Sequence, residues 1–295
     1  MSDTTRATVV ALTRADPRPP HHLAEDLDAG ADPGGLLERA VSTDAQGQIM
    51  LAPSAVPQHL IRDAEADLVA WERDGIAVTS VLDSDYPANL RAVHDRPPLI
   101  FSQGRLDRLS ERAVAVIGSR SPSEPGLALA EATARELVAA GYTVVSGLAA
   151  GIDTAAHTAA LDARGATAAV IGTGLRHAYP PENARLQQEI ALHEVVLSPF
   201  EPDTRPSRET FPVRNGVMSG LCLASVIVEA GVRSGTRIQA RLALAHGRRV
   251  FLARPLLDQA WARDLLARPA VEVFENADHI LSGLERRLAT APLID

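Results

Sequence analysis

The chain contains no lysine, so all 29 of its strongly basic residues are arginines. A Gly-x-x-x-x-Gly-Lys-Ser/Thr loop is therefore impossible, which excludes ATP hydrolysis of the P-loop type. Every strong cationic contact has to come from a guanidinium, whose planar fork suits bidentate phosphate contacts, although a coding bias explains the composition equally well. Cysteine occurs once, at Cys222 in the apolar run 221–228, so no disulfide forms within the chain and core packing is its expected role. Aromatic residues are scarce: five Phe, three Tyr and two Trp. No apolar run approaches the ~20 residues that span a bilayer. The N-terminus lacks the basic stretch, apolar stretch and small-residue cleavage site of a secretory leader. A soluble, cytoplasmic protein without membrane contact is expected. The nine histidines show no metal-ligand spacing, which predicts no metal site.

At 295 residues the chain can form one large or two unequal domains. Its 46% hydrophobic and 22% charged content is that of a globular protein. The net charge of −8 argues against a nucleic-acid partner until its distribution is considered. Residues 1–98 carry 16 Asp and Glu against 8 Arg and so hold the whole excess, whereas residues 99–295 balance at 21 against 21. Within the second part, residues 205–250 place eight arginines (205, 208, 214, 233, 237, 241, 248 and 249) against Glu209 and Glu229, a local charge of +6.

Short helices at 5–13, 23–28, 35–41 and 54–74, separated by Pro and Gly, predict a small helical module of the SAM-like kind over residues 1–75. Residues 76–111 read as a connecting segment, with Pro97-Pro98 marking a boundary. From residue 113 onward, short apolar runs at 113–117, 143–145, 166–171, 194–197, 225–228, 249–252 and 271–274 read as strands buried on both faces. Helix-length segments at 126–140, 154–164, 181–193, 212–223, 235–246 and 277–288 lie between or after them. Pro181 and Pro212 stand at helix starts, and Gly141, Gly165 and Gly247 stand where helices stop. The alternation predicts an α/β fold over 112–295: a Rossmann-like, doubly wound, mainly parallel sheet.

In such sheets ligands sit outside the carboxyl ends of the strands, near the point where strand order reverses. The loops there are rich in small residues: Gly118-Ser119-Arg120, Ser146-Gly147 running on to Asp153, Gly172-Thr173-Gly174, and Glu229 to Thr236. Backbone N–H groups in such turns approach an anion closely, and the following helix adds its positive end. A phosphate site is the physical reading, although parallel sheets need tight turns in any case. The first loop lacks Gly-x-Gly-x-x-Gly, and the second strand ends in Ser146-Gly147 without an acidic residue for a ribose, so NAD or FAD fits poorly and no cofactor is expected. Asp153 and His157, spaced i, i+4, fall on one helix face. They form either an acid/base pair or, the preferred reading, a helix cap beside a packed histidine. Tyr179 to Asn183 and Phe211 to Asn215 each join an aromatic ring, a helix-starting proline and a polar tip. Rings at a loop either stack on bases while arginine meets phosphate, or plug a gap beneath the loop.

Taken together, Val-Ala-Val-Ile-Gly-Ser-Arg (114–120), Ser-Gly-Leu-Ala-Ala-Gly-Ile-Asp-Thr-Ala-Ala-His (146–157), Tyr-Pro-Pro-Glu-Asn (179–183) and Phe-Pro-Val-Arg-Asn (211–215) closely resemble the DNA-processing protein A family, DprA/Smf. The resemblance extends through Asp85-Tyr86-Pro87 and Arg96-Pro97-Pro98 upstream and Ser234-Gly235-Thr236 downstream, over about residues 5–288. It implies a non-enzymatic, homodimeric protein that binds single-stranded DNA, protects incoming strands during natural transformation and helps load a RecA-type recombinase. It implies DNA or phosphate contacts at Gly118, Ser119 and Arg120, and at Phe211, Arg214 and Asn215. Ser146, Gly147, Gly172, Gly174, Tyr179, Asn183, Arg233, Ser234, Gly235, Thr236 and Arg237 complete the expected surface.

Three departures from the family pattern stand out. Gly216 replaces a second basic residue, the segment after Ser234-Gly235-Thr236 runs Arg237-Ile238-Gln239-Ala240 instead of toward Thr-Ala, and 253–256 reads Ala-Arg-Pro-Leu in place of Pro-Gly. The C-terminal winged helix of many members is expected to be missing. Two alternatives share the fold. One is an enzyme resembling the phosphoribohydrolases of nucleoside monophosphates, whose Pro-Gly-Gly-x-Gly-Thr loop is absent here. The other is a non-enzymatic sensor of a small nucleotide.

Overall fold

The computed structural model describes residues 1–42, 58–231 and 235–290. The expected helices at 5–13, 23–28 and 35–41 appear as α1 (Asp3–Ala15), α2 (Pro20–Asp28) and α3 (Pro33–Ser42), followed by α4 (Gln58–Arg73). Residues 54–57 of the fourth expected helix lie outside the described residues. Ser2 caps α1 by accepting from the Thr5 N–H at 3.2 Å. Leu12, Leu23, Leu27, Leu37 and Ala64 are buried between these helices. The helical module also packs against the sheet: Trp71 of α4 meets Phe101 edge to face at 5.3 Å.

Residues 76–111 do more than connect. They supply β1 (Ile76–Ser80), the short α5 (Ala88–Arg91) and β2 (Leu99–Gly104), and β2 pairs antiparallel with β1 on one side and with β6 (Val195–Ser198) on the other. The apolar Leu99-Ile100-Phe101 run, read as lying beyond a boundary, covers an edge of the parallel sheet that would otherwise present unpaired backbone groups. Pro97 and Pro98 precede the strand, where their missing N–H groups interrupt no ladder.

The remaining elements alternate as expected, with one further helix, α11, that the residue pattern did not indicate: β3 (Ala113–Ile117), α6 (Glu124–Ala139), β4 (Thr143–Ser146), α7 (Ile152–Asp162), β5 (Thr167–Val170), α8 (Ala184–His193), β6, α9 (Thr210–Leu221), β7 (Ala224–Ile227), α10 (Thr236–Ala245), β8 (Arg249–Ala253), α11 (Ala260–Leu266), β9 (Val271–Phe274) and α12 (Ala277–Thr290). Among the described residues the sheet has nine strands in the order β1-β2-β6-β5-β4-β3-β7-β8-β9, parallel from β6 to β9. Strands β3 to β7 are buried throughout, as runs such as Ala-Val-Ala-Val-Ile require of a sheet covered on both faces. Cys222 is buried here, as expected of a packing residue.

Gly141 and Gly247 take the positive φ values, 77° and 66°, that end α6 and α10. At the end of α7 the left-handed residue is Arg164 (φ 55°). Gly165 serves a different need, since a Cβ there would sit 2.0 Å from Val138 Cγ1 on α6. No helix of the described residues is long and apolar enough to cross a membrane.

Candidate functional site

From β3 the chain winds outward through β4, β5 and β6, then returns to lay β7 on the other side of β3. Where winding reverses, the loops after β3 and β7 diverge and leave a crevice outside the carboxyl ends of the strands. A cavity of about 490 Å³ lies there, walled by Gly118, Ser119 and Arg120, by Phe211, Arg214 and Asn215, and by Gly235, Thr236 and Gln239.

The loops after β3 and β4 interlock. A Cβ on Gly118 would lie 2.5 Å from Ile152 Cγ1, and one on Gly151 (φ 82°) would strike the Ser119 carbonyl at 2.4 Å. The Ile152 N–H donates to that same carbonyl at 3.1 Å. Ser119 Oγ accepts from the Ser121 N–H at 3.2 Å, which holds the turn. Arg120 is exposed at its tip, with its guanidinium carbon 5.6 Å from the Phe211 ring centroid. Tyr179, 41% exposed, also borders Phe211, its ring 5.6 Å away at 46°. Phe211 reaches this position because Gly172 has no side chain: a Cβ there would be 2.7 Å from the Phe211 ring. A ring, a second ring and a guanidinium thus form one lip beside the Gly118-Ser119-Arg120 loop.

Other expected contact residues are placed differently. Arg214 is 6% exposed, and its Nη1 donates to the carbonyls of Gly147 (2.6 Å) and Val170 (2.9 Å). It clamps the loops after β4 and β5 together and sends a positive field into the crevice. Gly147 is glycine because a Cβ would fall 1.8 Å from that nitrogen. The charge facing Arg214 is Asp153, whose buried carboxylate accepts from the N–H groups of Gly147 (3.2 Å) and Ala149 (3.3 Å). Burial pushes the Asp153 carboxyl above its ordinary range and pulls the Arg214 guanidinium below its own, each partner's charge opposing the change in the other. Asp153 ties down the loop before α7 instead of capping that helix.

Ser146 is buried and donates to the Val116 carbonyl at 2.7 Å, while Asn183 donates to Leu148 O at 2.8 Å and Thr154 Oγ1 at 2.9 Å. Both hold the scaffold. Gly174 packs against the carbonyls of Glu201 and Pro202, and Arg237 lies over Trp261 at 5.7 Å. Arg233 and Ser234 lie outside the described residues.

The arginines of the +6 segment are therefore divided between interior and surface. Arg214 is buried, Arg248 donates to Asn89 O and Gly220 O at 2.8 and 3.0 Å, and Arg249 pairs with Glu272. Arg205, Arg208 and Arg241 are exposed. Local charge counts alone do not report the surface field, because guanidinium donors also satisfy buried carbonyls.

Sequence reasoning missed two features. The Glu229 carboxylate accepts from Ser123 N (3.1 Å) and Oγ (2.5 Å), so it fills the positive end of α6 and leaves that terminus no room for a ligand phosphate. The fold also gathers His94, Asp95 and His246, with ligand atoms within 4.8 Å of one another, although spacing along the chain showed no such set. His246 Nε2 lies 2.6 Å from Asp95 Oδ1, and its Nδ1 lies 2.8 Å from Ser219 Oγ. Burial tends to raise the Asp95 carboxyl, but contact with His246 outweighs it and the net direction is down. Gly216 belongs to this cluster: a Cβ there would meet Asp95 Oδ2 at 3.4 Å, and the residue lines an apolar cavity of about 420 Å³ apart from the Gly118-Ser119-Arg120 loop. The position of the missing basic residue thus faces Asp95, whose partner is instead His246.

The class this defines is a Rossmann-like, doubly wound α/β protein with a crevice at its switch point, lipped by Tyr179, Phe211 and Arg120. Residues 77–285 match the family described as DNA recombination-mediator protein A, and the chain belongs to that family. DNA processing protein DprA of Streptococcus pneumoniae is 45% identical over 172 residues, covering 58% of this chain and 61% of the relative. The Bacillus subtilis DprA is 36% identical over 185 residues, 62% of each chain. The chain spans about six tenths of the length of these curated relatives. Among solved structures, DprA from S. pneumoniae superposes with a TM-score of 0.75 at 29% identity, covering 96% of this chain and 98% of that one. DNA processing protein A from Helicobacter pylori, whose structure concerns its single-stranded DNA binding mode, gives 0.64 at 27% identity over 72% of this chain and 96% of its own.

Proposed function

We propose that this protein binds single-stranded DNA without cleaving it. The strand's phosphates meet Gly118-Ser119-Arg120 and a base stacks on Phe211 and Tyr179. The observation that carries this reading is the Tyr179–Phe211–Arg120 lip beside the loop, since ring faces accept any base while guanidinium meets the backbone. A non-enzymatic role is supported by the acidic side chain at the crevice, Asp153, whose carboxylate already receives two backbone N–H groups. Family membership supports the wider role: protection of incoming strands in natural transformation, assistance to a RecA-type recombinase, a homodimeric state and a cytoplasmic location. Gly147, Gly172 and Arg214 act in this reading by shaping and charging the crevice, and Asn215, Gly235 and Thr236 line it.

Fluorescence anisotropy with oligo-dT tests the proposal. Binding is expected at low salt and weakens steeply as salt rises, because arginine–phosphate contacts release counterions. Arg120→Ala is expected to weaken binding roughly tenfold, the scale of one lost charge-assisted contact. Arg18→Ala, which breaks only the pairs with Asp16 and Asp26, is expected to leave binding unchanged. Equal affinities of the two variants, or no binding at low salt, would refute the assignment. Duplex DNA titrated alongside is expected to bind more weakly, since its bases are not free to stack.

A further inference from the structure

His94, Asp95 and His246 meet outside the crevice, and none of the three lines it. His94 and Asp95 lie in the segment between α5 and β2, and His246 is the residue that ends α10. The His246 side chain is fully buried, Asp95 is partly exposed and His94 is exposed, so the group is closed at one end and open to solvent at the other. The neighbours of His246 fix which of its nitrogens carries the proton. The Ser219 hydroxyl donates to Gly216 O at 3.0 Å, so Ser219 Oγ accepts from the His246 Nδ1–H at 2.8 Å. Nε2 is then the lone-pair nitrogen of the neutral ring, and it stands 2.6 Å from Asp95 Oδ1. Both atoms are buried and, among the described residues, have no hydrogen-bond partner. Two electron-rich atoms this close require a cation between them. A second proton on the ring meets that need but gives no part to His94, whose ring stands edge-on to His246 at 5.5 Å. A metal ion uses all three groups.

We propose that His94, Asp95 and His246 bind one zinc ion. Two imidazoles and a carboxylate suit a divalent transition metal of this kind, whereas magnesium and calcium take sets of oxygen ligands. Three protein ligands leave the fourth position of a tetrahedral ion to water. The ligand atoms lie within 4.8 Å of one another, and donors around one tetrahedral zinc ion stand roughly 3.3 Å apart. Rotation of the exposed His94 ring closes the wider gap. Asp95 has room to open the narrower one: apart from its own helix, only Asp95 Oδ2 comes within 4 Å of where a Gly216 Cβ would stand, among the described residues. Ser219 holds His246 from behind, the outer hydrogen bond that orients a metal-bound histidine. The carboxyl end of α10, where His246 sits, adds the negative pole of a helix. Asp95 also lines the apolar cavity of about 420 Å³, which gives the ion a path of entry. The bound ion ties the segment leading into β2 to the ends of α9 and α10, and so fastens the antiparallel edge of the sheet to its parallel body.

The experiment titrates the untagged full chain, stripped of metal with a chelator, with zinc chloride in a calorimeter near neutral pH. One equivalent is expected to bind, and magnesium chloride is expected not to. His94→Ala removes an exposed side chain and keeps the fold. It is expected to weaken zinc binding by about a hundredfold or more, since even the outer partners of a ligand contribute roughly 10–100-fold. Asp95→Asn is expected to weaken it comparably, with circular dichroism confirming that the variant is folded. His59→Ala, which removes a histidine outside the cluster, is expected to leave the affinity unchanged. Cobalt(II) chloride is expected to give the visible absorption of a tetrahedral site in wild type and to lose it in His94→Ala. Zinc is also expected to raise the thermal unfolding midpoint of wild type and to leave that of His94→Ala in place, because the ion stabilises only a folded chain that binds it. Zinc binding of equal strength in wild type and His94→Ala overturns the proposal, as does magnesium binding as tight as that of zinc. Absence of a one-equivalent zinc site in wild type overturns it too, and a protonated His246 paired with Asp95 is then what the cluster holds.

Discussion

Arg214→Met is expected to lower the free energy of unfolding by about 3–5 kcal/mol, read from urea denaturation, because removing one partner of a buried ion pair strands the other. The guanidinium is almost wholly enclosed, so its replacement leaves the Gly147 and Val170 carbonyls without their donor and the buried Asp153 carboxylate without its countercharge. Methionine fills similar volume, which separates the electrostatic loss from a simple cavity. Adding Asp153→Asn to Arg214→Met is expected to restore part of the stability by removing the stranded charge. A double variant as unstable as the sum of the two single variants would show that the residues do not act as a pair. Binding of oligo-dT is expected to fall in Arg214→Met even where the protein is fully folded, since the crevice loses its internal positive charge.

The second large effect concerns pH. His157 is fully buried and its Nδ1 lies 2.7 Å from Thr167 Oγ1. The Thr167 hydroxyl donates its own hydrogen to Val144 O at 2.8 Å, so Oγ1 accepts from a protonated Nδ1. Nε2 is then the unprotonated nitrogen, buried without a partner, and a second proton would place a charge there. Burial, with the charge of Arg214 adding to it, brings the His157 pKa down to about 3. Between that value and the unfolded value of about 6.5, the unfolded chain binds the proton and the folded chain does not. Stability is therefore full above about pH 6.5 and declines as pH falls toward 3, by an amount on the order of 4–5 kcal/mol. Asp153, with its raised carboxyl, acts in the opposite direction at the acid end of the window, so the informative quantity is the difference between wild type and His157→Gln. Urea midpoints measured from pH 7 to pH 4 are expected to fall more steeply for wild type. Parallel profiles would remove His157 from the account.

Asp153 and His157 also show how far residue patterns carry. Their i, i+4 spacing places both on one helix face and favours a helix cap beside a packed histidine, of which only the packed histidine is found. The spacing held no sign that Asp153 would reach back to Gly147 and Ala149, or that its countercharge would come from a residue some sixty positions later. The same divide separates Arg120 from Arg214. Both stand in phosphate-suggestive motifs, but one is exposed at a loop tip and the other is enclosed beneath it. Gly216 shows the same: it stands where the family pattern has a second basic residue, yet it looks onto Asp95 in another cavity.

What could be read directly from the residues is whatever local backbone physics imposes. A parallel strand covered on both faces must be a short apolar run, a strand-to-helix turn must be small, and a helix end needs a left-handed residue or a proline break. From those alone came the seven strands from β3 to β9, most of the helices between them, and the Gly118-Ser119-Arg120 loop at a carboxyl edge. The pairing of β2 with β6, the burial of Arg214 and Arg248, the Glu229 carboxylate on the start of α6 and the meeting of His94, Asp95 and His246 required the folded chain. Each joins groups distant in sequence, and which distant groups meet depends on the order in which strands are laid into the sheet. That order is set by packing of the whole, which no local window contains.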